Sequence, residues 1–319
     1  MRLRCVVLDD YQGVALERAD WSALAGGAEV EVLREHLDGE DAVAEALKDA
    51  AIVVAMRERT PFRDSLLARL PALRLLVTSG MANAAIDLAA AANRGVTVCG
   101  TATSSEPTAE LTWALIHGVT RHLATEGAAM RAGGPWQSTV GTNLHGATLG
   151  LLGFGKIGVL VGRVGLAFGM RVQSWSPNLT AERTAAEGVR LAASKEELLS
   201  SSDIVSIHLR LGDRSRGLLD AAALAAMKPT AFLINTSRAP IVDSGALLDA
   251  LRAGRIAGAG LDVFETEPLP AGDPLRTLPN VLATPHLGYV TRDSYRMYYG
   301  EAVEDIQAFL AGEPIRVLN

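Results

Sequence analysis

Short apolar, β-branched runs alternate along the chain with longer Ala/Leu/Glu-rich stretches of helical character. The first series is Arg4–Leu8, Ala28–Leu33, Ala51–Ala55, Leu73–Thr78 and Val96–Val98. The βαβα rhythm predicts a parallel sheet with helices on both faces. After Gly100 the pattern predicts one long helix, roughly residues 106–130, with Ala109, Leu111, Leu115 and Val119 at helical spacings. The turn-rich Gly133-Gly134-Pro135 closes it. A second series follows: Ala147–Leu152, Met170–Trp175, Ile204–His208, Ala231–Thr236, Ile256–Val263 and Val281–Thr284. A last helix is predicted over Thr291–Leu310, with Tyr295, Met297, Tyr298, Val303, Ile306 and Phe309 available to pack back on the first series. The expected fold class is α/β: two doubly wound, Rossmann-like domains with parallel sheets and an active site in the cleft between them. The domains are expected at residues 1–100 plus 291–319, for substrate, and at 101–290, for a dinucleotide.

Composition narrows the class. The 319 residues are 49% hydrophobic and 21% charged, enough for two domains and incompatible with disorder. Lys+Arg 30 against Asp+Glu 36 gives a net charge of −6 with no basic block, so no nucleic-acid partner is expected. No apolar run reaches the roughly 18 residues that a membrane span requires. Met1–Asp10 reads as a first strand, not a signal peptide. Cys5 and Cys99 are the only cysteines, too few for a disulfide framework or an iron–sulfur site, which points to the reducing cytoplasm.

Gly153-Phe154-Gly155-Lys156-Ile157-Gly158 is a G-x-G-x-x-G placed directly after an apolar strand and before a helical run. That context makes it a dinucleotide-binding candidate: Gly153 permits the tight turn, Gly155 lets the backbone approach a pyrophosphate, and Gly158 allows close helix–strand packing. The acidic residue that normally follows at the end of the second strand, to bind the adenosine ribose, is missing. Ser176-Pro177-Asn178 stands there. Either NAD or NADP is therefore expected as cofactor, with Arg210 or Arg183 as possible phosphate partners.

Three further segments lie at predicted strand ends, the ligand edge of an open α/β sheet. They are Asn235–Asp243, Gly260–Pro268 and Ala283–Gly288. Together with the glycine loop, in this order and spacing, they resemble the D-isomer-specific 2-hydroxyacid dehydrogenase family, which includes phosphoglycerate, D-lactate, formate and phosphite dehydrogenases and glyoxylate and hydroxypyruvate reductases. The resemblance runs over essentially the whole chain. It implies hydride transfer between a nicotinamide dinucleotide and a small anionic 2-keto or 2-hydroxy acid, with Arg238, Glu267 and His286 as the catalytic set. The residue types suit that chemistry. A histidine can give and accept the alkoxide proton, a carboxylate orients the imidazole and favours its charged form, and an arginine fork matches a carboxylate and its neighbouring carbonyl. Each residue alone would pass as a turn or surface side chain; their joint occurrence behind a dinucleotide loop argues for a site. His36, His117, His122 and His145 lack such a setting.

The cofactor contacts implied are Gly153, Gly155, Lys156, Ile157, Gly158, Ser176, His208, Leu209, Arg210, Thr236, Ser237, Arg238, Asp262, His286 and Gly288, with Asp262 toward the nicotinamide carboxamide. Substrate contacts implied are the main chain of Met81 and Ala82, with Arg238 and His286. Arg57 and Arg59, after the third strand, are candidates for a distal charge or simply a solvated cluster. Departures from the family pattern are Ala82 and Ala239 in place of Gly, Arg210 in place of Pro, and Tyr289 in place of Gly. A homodimer joined through residues 101–145, with hinge closure, is the family expectation. No metal is expected, because no cluster has ligand spacing. Two other readings stay open: a dinucleotide-sensing protein-binding module of weak activity, and a formate- or phosphite-type dehydrogenase.

Overall fold

The computed structural model describes residues 2–319. They divide into two compact units, residues 2–104 with 290–319, and residues 105–289. Residues 101–104 group with the first unit because the chain is still pinned there after the fifth strand: Thr101 donates its N–H to the Thr78 carbonyl at 3.1 Å and Ala102 its N–H to Glu301 at 2.6 Å.

In the first unit, among the described residues, β1 (Leu3–Val7), β2 (Ala28–Val32), β3 (Ile52–Ala55), β4 (Leu75–Thr78) and β5 (Thr97–Gly100) form a parallel sheet in the order β2-β1-β3-β4-β5. Both β3 and β4 are buried along their whole length, which explains their unbroken apolar composition. One core face gathers Val6, Val53, Leu76 and Val98 of the strands with Leu47, Phe62 and Leu66. The C-terminal helix Arg292–Leu310 is capped by Thr291 and packs in this unit, burying Tyr295, Tyr298, Tyr299 and Ile306, with Tyr299 6.2 Å from the Trp21 ring. The last residues then return to β5 as an antiparallel edge: Gly100 N–H donates to the Arg316 carbonyl at 3.0 Å and Leu318 N–H to the Val98 carbonyl at 2.8 Å. No periodic pattern announced this addition.

The second unit carries β6 (Thr148–Leu152), β7 (Arg171–Trp175), β8 (Arg190–Leu191), β9 (Ile204–Ile207), β10 (Phe232–Asn235), β11 (Gly258–Leu261) and β12 (Val281–Ala283). Among the described residues they form one parallel sheet in the order β12-β11-β10-β9-β6-β7-β8. The chain leaves β6 toward β7 and β8, then crosses back to β9 on the other side of β6. The reversal point, where ligands of open α/β sheets bind, thus lies between the ends of β6 and β9.

The long helix expected over 106–130 is a correction. The structure has a helix at Glu106–Thr120 and another at Leu123–Arg131, broken by His122 in the left-handed region at φ +51. The Thr120 carbonyl, which a continuous helix would offer to residue 124, instead accepts the N–H of Thr142 at 2.8 Å. The two-residue strand β8 was also outside the sequence reading, being too short to show alternation.

Candidate active site

The glycine loop connects β6 to the helix Lys156–Ala167. Gly153 adopts φ +101, and a Cβ there would lie 2.7 Å from the His208 carbonyl oxygen. Its counterpart at Gly158 would lie 2.4 Å from the Gly153 carbonyl. Only glycine fits either place. At Gly155, in contrast, a Cβ would meet nothing within 4 Å, so the backbone is open on that side. Gly155 is also the helix N-cap, with no side chain to cap the first N–H groups and no acidic residue in the first turn. An uncapped, open helix start beside the sheet's reversal point fits a pyrophosphate.

His208 follows β9 on the other side of that point, and its Nε2 lies 2.9 Å from Ser206 Oγ. Partly exposed as a residue, it is nonetheless desolvated enough to push its imidazole down to about 3, so it is neutral at physiological pH. Leu209 accepts the Ser237 hydroxyl through its carbonyl, which joins the β9 end to the β10 end. Ser176, after β7, is half-buried, and Arg210 is exposed.

At the β10 end Asn235 organises the turn: its Oδ1 accepts the Ser237 N–H at 3.0 Å and its Nδ2 donates to the Arg238 carbonyl at 3.2 Å. Arg238 then precedes the short 3-10 turn Ala239–Ile241, with Nη1 donating to the Ser237 carbonyl at 2.8 Å. Thr236 is buried and shares a hydrogen bond with Thr112 at 2.8 Å.

The segment after β11 brings Glu267 to His286. Nδ1 of His286 lies 2.6 Å from Glu267 Oε2, while the other carboxylate oxygen accepts the Phe264 N–H at 2.8 Å. The His286 backbone is left-handed at φ +52, a conformation that a non-glycine residue holds only when its surroundings enforce it. Asp262 does so. Its carboxylate, 1% exposed, accepts the Thr284 hydroxyl at 2.6 Å, the Leu287 N–H at 2.7 Å and the Gly288 N–H at 2.9 Å. Burial raises the Asp262 carboxyl above its ordinary value, against those same hydrogen bonds. Thr108, on the helix Glu106–Thr120, donates to the Gly288 carbonyl at 2.9 Å. Thr108 escaped the sequence reading, because nothing local distinguishes a threonine that anchors a distant loop, and Asn235 entered it only as the first residue of its segment. Asp262, expected toward a carboxamide, is engaged by the His286 loop.

In the first unit, Met81 and Ala82 form an exposed loop tip after β4. Arg57 is left-handed at φ +52, with its N–H on Ser79 Oγ at 2.9 Å and Nη1 on the Ser79 carbonyl at 3.0 Å. Arg59 donates to the Asp9 carbonyl at 2.6 Å and stacks over the Tyr11 ring at 4.3 Å. Among the described residues no group of three or more His, Cys, Asp or Glu could hold a metal ion, and no helix is long and apolar enough to cross a membrane.

The family profile described as D-isomer specific 2-hydroxyacid dehydrogenase, NAD binding domain, matches residues 113–288. The chain is 40% identical over 264 residues to a glyoxylate reductase of Aeropyrum pernix, covering 80% of this chain and 78% of that one. It is 37% identical over 309 residues to a D-3-phosphoglycerate dehydrogenase of Mycobacterium leprae, covering 94% of this chain but 57% of the relative, so it spans little more than half of that longer protein. Among solved structures, a phosphoglycerate oxidoreductase from Vibrio cholerae superposes with a TM-score of 0.93 at 38% identity, over 97% of this chain and 99% of that one. The chain belongs to the D-isomer specific 2-hydroxyacid dehydrogenases. It is an oxidoreductase of CH–OH groups that transfers a hydride between a nicotinamide dinucleotide and a 2-hydroxy or 2-keto acid.

Proposed function

We propose that this protein reduces a small 2-keto acid, with His286 as proton donor, Glu267 orienting it and Arg238 holding the substrate carboxylate and reacting carbonyl. The observation that carries the reading is the 2.6 Å contact between His286 Nδ1 and Glu267 Oε2 beyond the strand ends of a dinucleotide-binding sheet. With Nδ1 committed to the carboxylate, Nε2 is the atom left to give a proton to the nascent alkoxide, and to take it back in the oxidative direction. The hydride comes from the reduced nicotinamide when it is bound. Gly153, Gly155 and Gly158, with the N–H groups of Lys156 and Ile157, would hold the pyrophosphate, and His208, Leu209, Thr236 and Ser237 line the same edge of the sheet. A neutral His208 adds no charge there. Asp262 would keep the proton donor in place through the backbone of its loop. Without a carboxylate at Ser176 both NADH and NADPH are usable.

In the first unit, the main chain of Met81 and Ala82 and the guanidinium groups of Arg57 and Arg59 are the candidates for the substrate's anionic groups. The protein works as a cytoplasmic homodimer joined through residues 101–145. Supporting the dimer, the helix Leu123–Arg131 buries none of its residues, and Trp136 and Val140 are 79% and 93% exposed. Sedimentation of a Trp136→Ser/Val140→Ser variant as a monomer, against a dimeric parent, checks that assembly.

The deciding experiment follows oxidation of NADH and NADPH with glyoxylate, hydroxypyruvate and pyruvate. The parent turns over at least one of them, and His286→Ala loses about 10² or more in kcat while still binding the reduced cofactor. Near-parental turnover by His286→Ala, or no turnover of any 2-keto acid by the parent, overturns the proposal.

A further inference from the structure

We propose that Tyr289 is a positioning residue for the His286 imidazole, an inference that rests on the proton-transfer reading of His286. The rings lie 5.3 Å apart, centroid to centroid, at an interplanar angle of 70°. That is a favoured edge-to-face arrangement of aromatic rings. Tyr289 is only 8% exposed, so its ring is itself held by packing.

Three restraints converge on His286, each removing a different freedom. Asp262 fixes the backbone through the N–H groups of Leu287 and Gly288, which sets where the Cα–Cβ bond points. Glu267 fixes the direction of Nδ1. One hydrogen bond still leaves the ring plane free to tilt about the line joining its two atoms, and Nε2 lies off that line. Every tilt therefore moves the atom that must meet the substrate oxygen. The Tyr289 ring packs against the imidazole and opposes that tilt, where a glycine would leave the space beside it empty. Proton donors function when held within about 0.5 Å and 10–20° of the productive geometry, so the contact bears on turnover and not on cofactor affinity.

The test uses the full-length protein, whichever of glyoxylate, hydroxypyruvate and pyruvate it reduces fastest, and the preferred reduced cofactor. Tyr289→Phe keeps the ring and retains kcat within about twofold, whereas Tyr289→Leu lowers kcat about tenfold. In Tyr289→Leu the KM for the keto acid and the Kd for the cofactor, read by fluorescence titration, stay near the parental values. The solvent deuterium isotope effect on kcat rises in that variant, because proton transfer has become limiting. Tyr289→Met repeats the measurement if Tyr289→Leu does not fold, as judged by thermal melting. A folded Leu or Met variant with parental kcat overturns the proposal. So does a parallel loss of cofactor affinity, or a Phe variant as impaired as Leu. His286→Ala is measured beside them: if it stays active, the proton-transfer reading itself has failed, whereas an inactive His286→Ala with a fully active Tyr289→Leu removes only the role of Tyr289.

Discussion

Glu267 holds His286 with one carboxylate oxygen, Oε2 at 2.6 Å from Nδ1, while its Oε1 is occupied by the Phe264 N–H at 2.8 Å. The carboxylate is thereby prevented from rotating, and it reaches the imidazole as an acceptor only.

Replacing it tests that arrangement. In Glu267→Gln the side-chain oxygen can still accept from Phe264, but the amide then turns its NH2 group toward Nδ1. The imidazole is pushed into the tautomer with its proton on Nε2 and loses the negative charge that favours its cationic form. Reductive kcat should fall by about 10- to 10²-fold with cofactor binding retained. Steady-state kinetics with a cofactor titration check this; unchanged kcat would mean that the pair is not used in proton transfer.

Arg238→Lys keeps a positive charge after β10 but loses the planar fork. A substrate held by two parallel N–H bonds through carboxylate and carbonyl should lose both affinity and alignment, so KM rises and kcat falls together. An unchanged kcat/KM would place the substrate elsewhere.

Cofactor choice turns on Ser176. An aspartate there would accept from the ribose hydroxyls of NADH and repel the 2′-phosphate of NADPH. Ser176→Asp should shift the ratio of kcat/KM values toward NADH by roughly one to two powers of ten, about 1.4 to 2.8 kcal/mol. A ratio that does not move would show that residue 176 does not face the adenosine ribose.

Two desolvated groups give opposite pH dependences of stability. Burial raises Asp305 from its ordinary 3.8 to about 6, with Arg316 pulling the other way. Its protonated form is the one that favours folding, so that contribution is complete below 3.8 and lost as pH rises through 6. Desolvation lowers His208 from 6.5 to about 3, so its contribution is complete above 6.5 and lost as pH falls toward 3. Each has a slope of about 1.4 kcal/mol per pH unit between its two values, and in the shared window they oppose one another. Thermal melting between pH 4 and 7.5 should show Asp305→Asn losing stability on acidification more steeply than the parent, and His208→Gln gaining it. Parallel curves for all three proteins would refute both assignments.

Strand existence, the parallel α/β class and the glycine loop were legible in the sequence because each depends on local chemistry. A strand such as β3, covered on both faces, must be apolar at every position, and Gly153 and Gly158 stand where a Cβ would strike neighbouring backbone. Arg238, Glu267 and His286 could be named from their place after strands, but not their geometry. What the tertiary structure alone decided are contacts between residues far apart in the chain. Asp262 grips the loop around His286, Thr108 reaches Gly288 across 180 positions, and Arg316–Leu318 return to β5. The break at His122 belongs with them, since the Thr120 carbonyl is taken by Thr142 from outside the helix. Such bonds leave no period in the sequence: a buried polar group must find a partner, and which partner it finds is settled only when the folded chain brings the two together.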